Sequence, residues 1–168
     1  MGTDIYLSWK GMTKEEEESQ ITGYATDAGD KGYLRASIGM VLENQSLRYI
    51  FPSHYWEGKK LTYNFKKNRN QVKIALRAYE KAIRSGACVL DLKLSQGNEQ
   101  TINEQRRLGI AILGMLSPFG DKASMPSGAI SEEDIGFGLV WAKSVEDFFN
   151  LGLEKQEQGL RPMVRILW

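Results

Sequence analysis

From Asp4 to Trp9 apolar and polar side chains alternate, with Ile5, Leu7 and Trp9 on one side and Tyr6 on the other, which predicts a strand. Thr13 and Glu16 stand at capping-box spacing, so Lys14 to Gln20 reads as a short polar helix with its carboxylates toward the positive end of the dipole. Residues 22–32 are rich in turn formers and follow neither apolar period, which marks a loop. Tyr33 to Glu43 reads as a helix weakened by Gly39, and Leu47 to Phe51, followed by Pro52, as extended chain. Leu61, Tyr63 and Phe65 alternate with polar neighbours, as in a strand or extended arm.

Beyond residue 65 the helical period is clear. Val72, Leu76, Tyr79 and Ile83 recur at i, i+4, i+7 and i+11, with Asn68 or Asn70 as a cap and Gly86 at the C-terminal end. Ala87 to Leu94 alternates as a half-buried strand does, and Glu99 to Leu116 follows as a second amphipathic helix capped by Asn98. Residues 117–131 hold four Ser, two Pro and two Gly and predict a long loop. Over 132–142 a capping box at Ser131 and Asp134 competes with Gly136, Gly138 and an alternation of Ile135, Phe137, Leu139 and Trp141, so two assignments stay open. Ser144 and Asp147 are spaced to cap a helix ending near Gly159, and Met163 to Trp168 closes the chain as a strand. The fold class expected is α+β: one domain spanning 1–168, with a mixed sheet of strands 4–9, 87–94 and 163–168 covered by two or three amphipathic helices.

Composition narrows the class. The chain has 168 residues, 42% hydrophobic and 26% charged, which suits a folded globular domain and excludes collagen-like or low-complexity chains. Cys88 is the only cysteine, so no internal disulfide and no Cys/His zinc cluster can form, and a reducing compartment fits. With no secretory leader pattern and no 18-residue apolar run, a cytoplasmic protein that does not enter the membrane is expected. The charge is uneven: 5 basic against 9 acidic residues over 1–58, 9 against 1 over 59–86, and 8 against 11 over 87–168. The central block is therefore strongly basic between two acidic flanks, which suggests either a binding surface or complementation within the fold.

Three groups of residues are candidates for function. Ten of the 17 aromatics lie within the first 65 residues, and Tyr24, Tyr33, Tyr55 and Trp56, with Asp27 and Asp30 in the loop, are the expected contacts for a protein partner or small ligand. The chain's only histidine, His54, lies three residues before Glu57, and these two, or Asp27 and Asp30, would supply a small enzyme with its acid and base. No nucleophile elbow, phosphate-binding glycine loop or metal-ligand spacing accompanies them, so no metal and no cofactor is expected and the reading leans away from catalysis. Lys66, Arg69, Lys73, Arg77 and Arg84 fall on one stripe of a helix starting near Lys66 and could neutralise phosphates. Glu80 interrupts that stripe and no aromatic shares it, so nucleic acid ranks last among the partners, and self-association stays open.

Met1-Gly2-Thr3-Asp4-Ile5-Tyr6-Leu7, with Ile21-Thr22-Gly23-Tyr24 and Gly32-Tyr33-Leu34-Arg35-Ala36-Ser37, resembles the start of small bacterial or phage-borne proteins. The resemblance covers about the first 60 residues. It implies a bacterial cytoplasmic origin and transfers no functional residue. The reading with most support is a non-enzymatic binding or regulatory protein.

Overall fold

The computed structural model describes residues 2–21, 28–37, 41–84 and 132–168. In chain order these form β1 (Gly2–Ser8), α1 (Lys14–Ile21), β2 (Tyr33–Ser37), α2 (Val41–Ile50), β3 (Leu61–Thr62), α3 (Phe65–Arg84), α4 (Glu132–Glu157) and β4 (Met163–Leu167), with 3-10 turns at Gly29–Lys31 and Ser53–Glu57. The fold is α+β, as the periodicity suggests. The described strands form one sheet in the order β2-β1-β4-β3, and all three pairings are antiparallel. A mixed sheet was expected because a strand at 87–94 would have followed a long crossover; that segment, and the helix at 99–116, lie outside the described residues. Among the described residues no helix is long and apolar enough to cross a membrane.

Alternation along β1 is what places the core. Ile5 and Leu7 point to the same face as Leu34 and Ala36 of β2 and Val164 and Ile166 of β4, and all six are fully buried. Phe65, Val72, Ala75 and Tyr79 of α3 join them with Trp141, Val145, Phe148 and Phe149 of α4 in one apolar cluster. The opposite face of β1 and β2 carries Tyr6 with its ring tilted against Tyr33 at 5.2 Å and the Asp4–Arg35 ion pair at 3.5 Å.

Four local expectations change. Tyr33–Ser37 is a strand rather than the start of a helix, paired with β1 from Tyr6↔Tyr33 to Gly2↔Ser37. Leu47 to Phe51 is not extended: residues up to Ile50 are helical, and α2 is buried almost all round, so its 3.6-residue period does not show as a polar face. The third helix begins at Phe65, where Asn64 rather than Asn68 or Asn70 caps it by accepting from the Lys67 N–H at 2.9 Å. Residues 132–142 are helical despite Gly136 and Gly138; Gly136 faces open space, whereas Gly138, like Gly152 further along α4, is a notch. A Cβ on Gly138 would stand 2.3 Å from Ile83 Cδ1, and one on Gly152 would stand 2.2 Å from the Phe65 ring, so the missing side chains let α3 approach α4 closely. Ser144 is correspondingly inside α4 and no cap; its hydroxyl accepts from the Gly29 N–H at 2.9 Å.

Candidate binding groove

Among the described residues, the candidate aromatics Tyr33, Tyr55 and Trp56 do not gather on one surface. Tyr33 lies on the edge strand β2, buried, with its hydroxyl donating to Asp4 Oδ1 at 2.7 Å; burial, and then that carboxylate, push its phenol up to about 12. Tyr55 and Trp56 belong to the 3-10 turn near the other edge, where the Tyr55 hydroxyl donates to Thr62 O of β3 at 2.6 Å and the Trp56 indole donates to Phe51 O at 3.1 Å. Both are buried. The sheet order therefore separates Tyr33 from Tyr55 and Trp56: Tyr55 and Trp56 pack in the core and Tyr33 is buried beside Tyr6 on the opposite face of the sheet, so the three do not form one exposed recognition surface. Tyr24 and Asp27 lie outside the described residues, and Asp30 is exposed in its turn.

His54 is exposed with its ring against Tyr55 at 4.5 Å. Glu57 is also exposed, and its carboxylate accepts from the Lys59 ammonium at 2.7 Å, which holds it below the usual carboxylate range. Both groups thus lie in the open, where water screens them.

The basic stripe behaves as its spacing predicts. Lys66, Arg69, Lys73, Arg77 and Arg84 are all exposed, and among the described residues none forms an ion pair. What the sequence did not indicate is the second wall. A groove of about 490 Å³ runs between α3 and α4, in the size range of ligand-binding clefts. Its floor is apolar, made by Phe65, Val72 and Leu76 of α3 against Ala142, Phe149 and Leu153 of α4. Arg69, Lys73 and Arg77 form one rim, with Glu80 at its end, and Glu146 and Asn150 form the other. Three cations at i, i+4 and i+8 repeat about every 6 Å along the helix axis.

Local chemistry fixes the ends of this groove. At the start of α3, Gln156 of α4 accepts from the Phe65 N–H at 2.7 Å through Oε1 and donates to Asn64 Oδ1 at 3.0 Å through Nε2, so one amide ties the two helices and satisfies the first turn. Toward the other end the Tyr79 ring lies tilted against Trp141 at 4.8 Å, and the Trp141 indole donates to Arg35 O of β2 at 3.0 Å. The α4 contribution was hidden because its rim residues carry no motif; the signal is that Ala142, Glu146, Phe149 and Leu153 recur at three- and four-residue steps.

A second polar group lies in the interior, on α2. Glu43 is buried beside the Tyr79 hydroxyl, which donates to Oε1 at 3.4 Å, and desolvation pushes its carboxyl up to about 8. Arg48 is 2% exposed, and desolvation lowers its guanidinium to about 10. No protein-family model, curated protein or solved structure matches the chain.

Proposed function

We propose that the protein is a non-enzymatic binding protein and that its partner is an acidic, amphipathic segment of another protein lying in the α3–α4 groove. The observation that carries this reading is the pairing of an apolar floor with a rim of three cations, Arg69, Lys73 and Arg77, that form no ion pair among the described residues. A helix with leucines on one stripe and glutamates beside it complements both features, as in other helix-in-groove complexes. Charge complementarity speeds encounter, and the buried apolar stripe supplies affinity. Duplex nucleic acid fits less well, because Glu80 and Glu146 face any phosphate placed on the rims and the floor offers no exposed aromatic for stacking.

The test is fluorescence anisotropy with a labelled helical peptide carrying Leu and Glu at three- and four-residue spacing, with labelled 30-base-pair duplex DNA in parallel. The reading expects a peptide Kd in roughly the micromolar range. It also expects a loss of at least about tenfold in the Arg69→Glu, Lys73→Glu, Arg77→Glu triple variant, and no change in Lys14→Glu on α1. Flat anisotropy with the peptide overturns it. DNA binding that weakens with salt at a logarithmic slope of about 4 to 5 replaces it with nucleic-acid association through all five cations.

A further inference from the structure

The interior of α2 holds a cation without a counter-ion. The Arg48 guanidinium stands 4.0 Å over the Trp56 ring and 5.1 Å from the Trp168 ring, and among the described residues it forms no ion pair. Its Nε and Nη1 are buried and make no hydrogen bond. Gln45 precedes it by one helical turn, and its amide is likewise buried with neither Oε1 nor Nε2 bonded. Each buried donor left unmet costs on the order of 1–3 kcal/mol, more for a charged one, and a cation–π contact returns only about 0.5–2 kcal/mol. Two aromatic faces therefore do not account for the burial of this charge. The groups left over are two guanidinium N–H donors, which recognise an oxyanion, and a neighbouring amide that offers an N–H donor together with an acceptor oxygen.

The two tryptophans are not equivalent. Trp56 is 3% exposed and its indole donates to Phe51 O at 3.1 Å, which fixes it as a floor. Trp168 is 48% exposed, stands edge-on to Trp56 at 6.3 Å, and is tied by its indole N–H to Trp56 O at 2.7 Å. It is the half-exposed member of the cage. We propose that Arg48 and Gln45 form a binding site for a small oxyanion, a phosphate or a carboxylate, and that Trp168 is its displaceable cover. The site is built from α2, the 3-10 turn and the end of β4, so it stands independently of the α3–α4 groove.

The test follows the indole N–H signals of Trp56 and Trp168 by heteronuclear NMR on the full chain at constant ionic strength. Inorganic phosphate is titrated against chloride, then acetate against chloride. Saturable movement of both signals supports the site, and whichever anion produces it at lower concentration identifies the phosphate or the carboxylate class. Arg48→Lys, which keeps the charge but loses the planar fork, is expected to weaken binding about tenfold. Trp168→Ala is expected to tighten it about two- to tenfold, because the uncovered state no longer has to be populated first. These two variants keep the test decisive even where Arg48→Met fails to fold. Linear, unsaturated drift with both anions in the native chain and in Trp168→Ala overturns the proposal, as does saturable binding that Arg48→Lys leaves unchanged. Charge reversal of Arg69, Lys73 and Arg77 is expected to leave these titrations as they were, so failure of the groove and failure of this site read out separately.

Discussion

Helices α2 and α3 draw on the same polar residue types and use them in opposite ways. On α3, 20 residues long, the cations Lys66, Arg69, Lys73, Arg77 and Arg84 face outward while Val72, Ala75 and Tyr79 face the core. On α2, 10 residues long, Glu43, Asn44, Gln45, Ser46 and Arg48 are all buried. Some of these are satisfied: Thr3 donates to Asn44 Oδ1 at 2.8 Å, and Ser46 donates to Leu42 O at 2.7 Å. Others are left with desolvation as the dominant force on them, which drives the Glu43 carboxyl up and the Arg48 guanidinium down. The difference teaches that charge on α3 is free to meet a partner, whereas charge on α2 is held inside at the expense of stability.

The sharpest break in that comparison is Trp56→Ala. Removing a buried ring from beneath Arg48 opens a cavity and strips the cation of its main contact, with an expected loss of about 3–5 kcal/mol in urea unfolding. A loss below about 1 kcal/mol would mean that Arg48 is not held as described. Next comes the pH response of Glu43. Its folded carboxyl titrates at about 8, above the ordinary 4.5, so between these values the folded protein keeps a proton that the unfolded chain has lost. Its contribution to stability is complete below 4.5 and lost as pH rises through about 8, an effect on the order of a few kcal/mol. Glu43→Gln has no proton to lose, so urea midpoints at pH 5 and pH 9 are expected to converge in the variant and diverge in the native chain. Parallel behaviour of the two proteins would contradict the assignment.

Smaller effects belong to α3. Asn64→Ala removes the cap and the tie to Gln156, with an expected loss of about 1 kcal/mol in thermal or urea unfolding. Arg77→Ala, at an exposed site without an ion pair, is expected to change stability by less than about 0.5 kcal/mol while still weakening the acidic peptide. An unfolding loss above 1 kcal/mol there would make the stripe structural.

The same contrast explains what the sequence disclosed. Helix α3 was legible because its apolar and basic residues hold separate stripes, and β1 and β4 because alternation survives where one face is buried. Helix α2 was not, since a helix buried on nearly every side shows no polar face, and Arg48 within Leu47-Arg48-Tyr49-Ile50-Phe51 looked like extended chain. Gly136 and Gly138 counted against a helix for the propensity they lower, while the role of Gly138 is to admit Ile83. The basic rim of the groove was visible as a stripe. Its other rim was not, because only the packing of α3 on α4 brings Glu146 and Asn150 opposite Arg69, Lys73 and Arg77. The tyrosines and tryptophan of the first third were misleading as a group: closeness in sequence put Tyr33 and Tyr55 at opposite edges of the sheet.

A charge swap tests the groove most directly. The native chain and the Arg69→Glu, Lys73→Glu, Arg77→Glu variant are each titrated with the Glu-bearing amphipathic peptide and with the same peptide carrying Lys in place of Glu, all at one salt concentration. The account expects the native chain to bind the acidic peptide and the variant to bind the basic one, with the two matched pairs within about tenfold of each other and both mismatched pairs weaker by at least about tenfold. Equal affinity of the acidic peptide for both proteins, or a variant that binds neither peptide while unfolding like the native chain, would contradict the assignment of the α3–α4 groove as the binding surface.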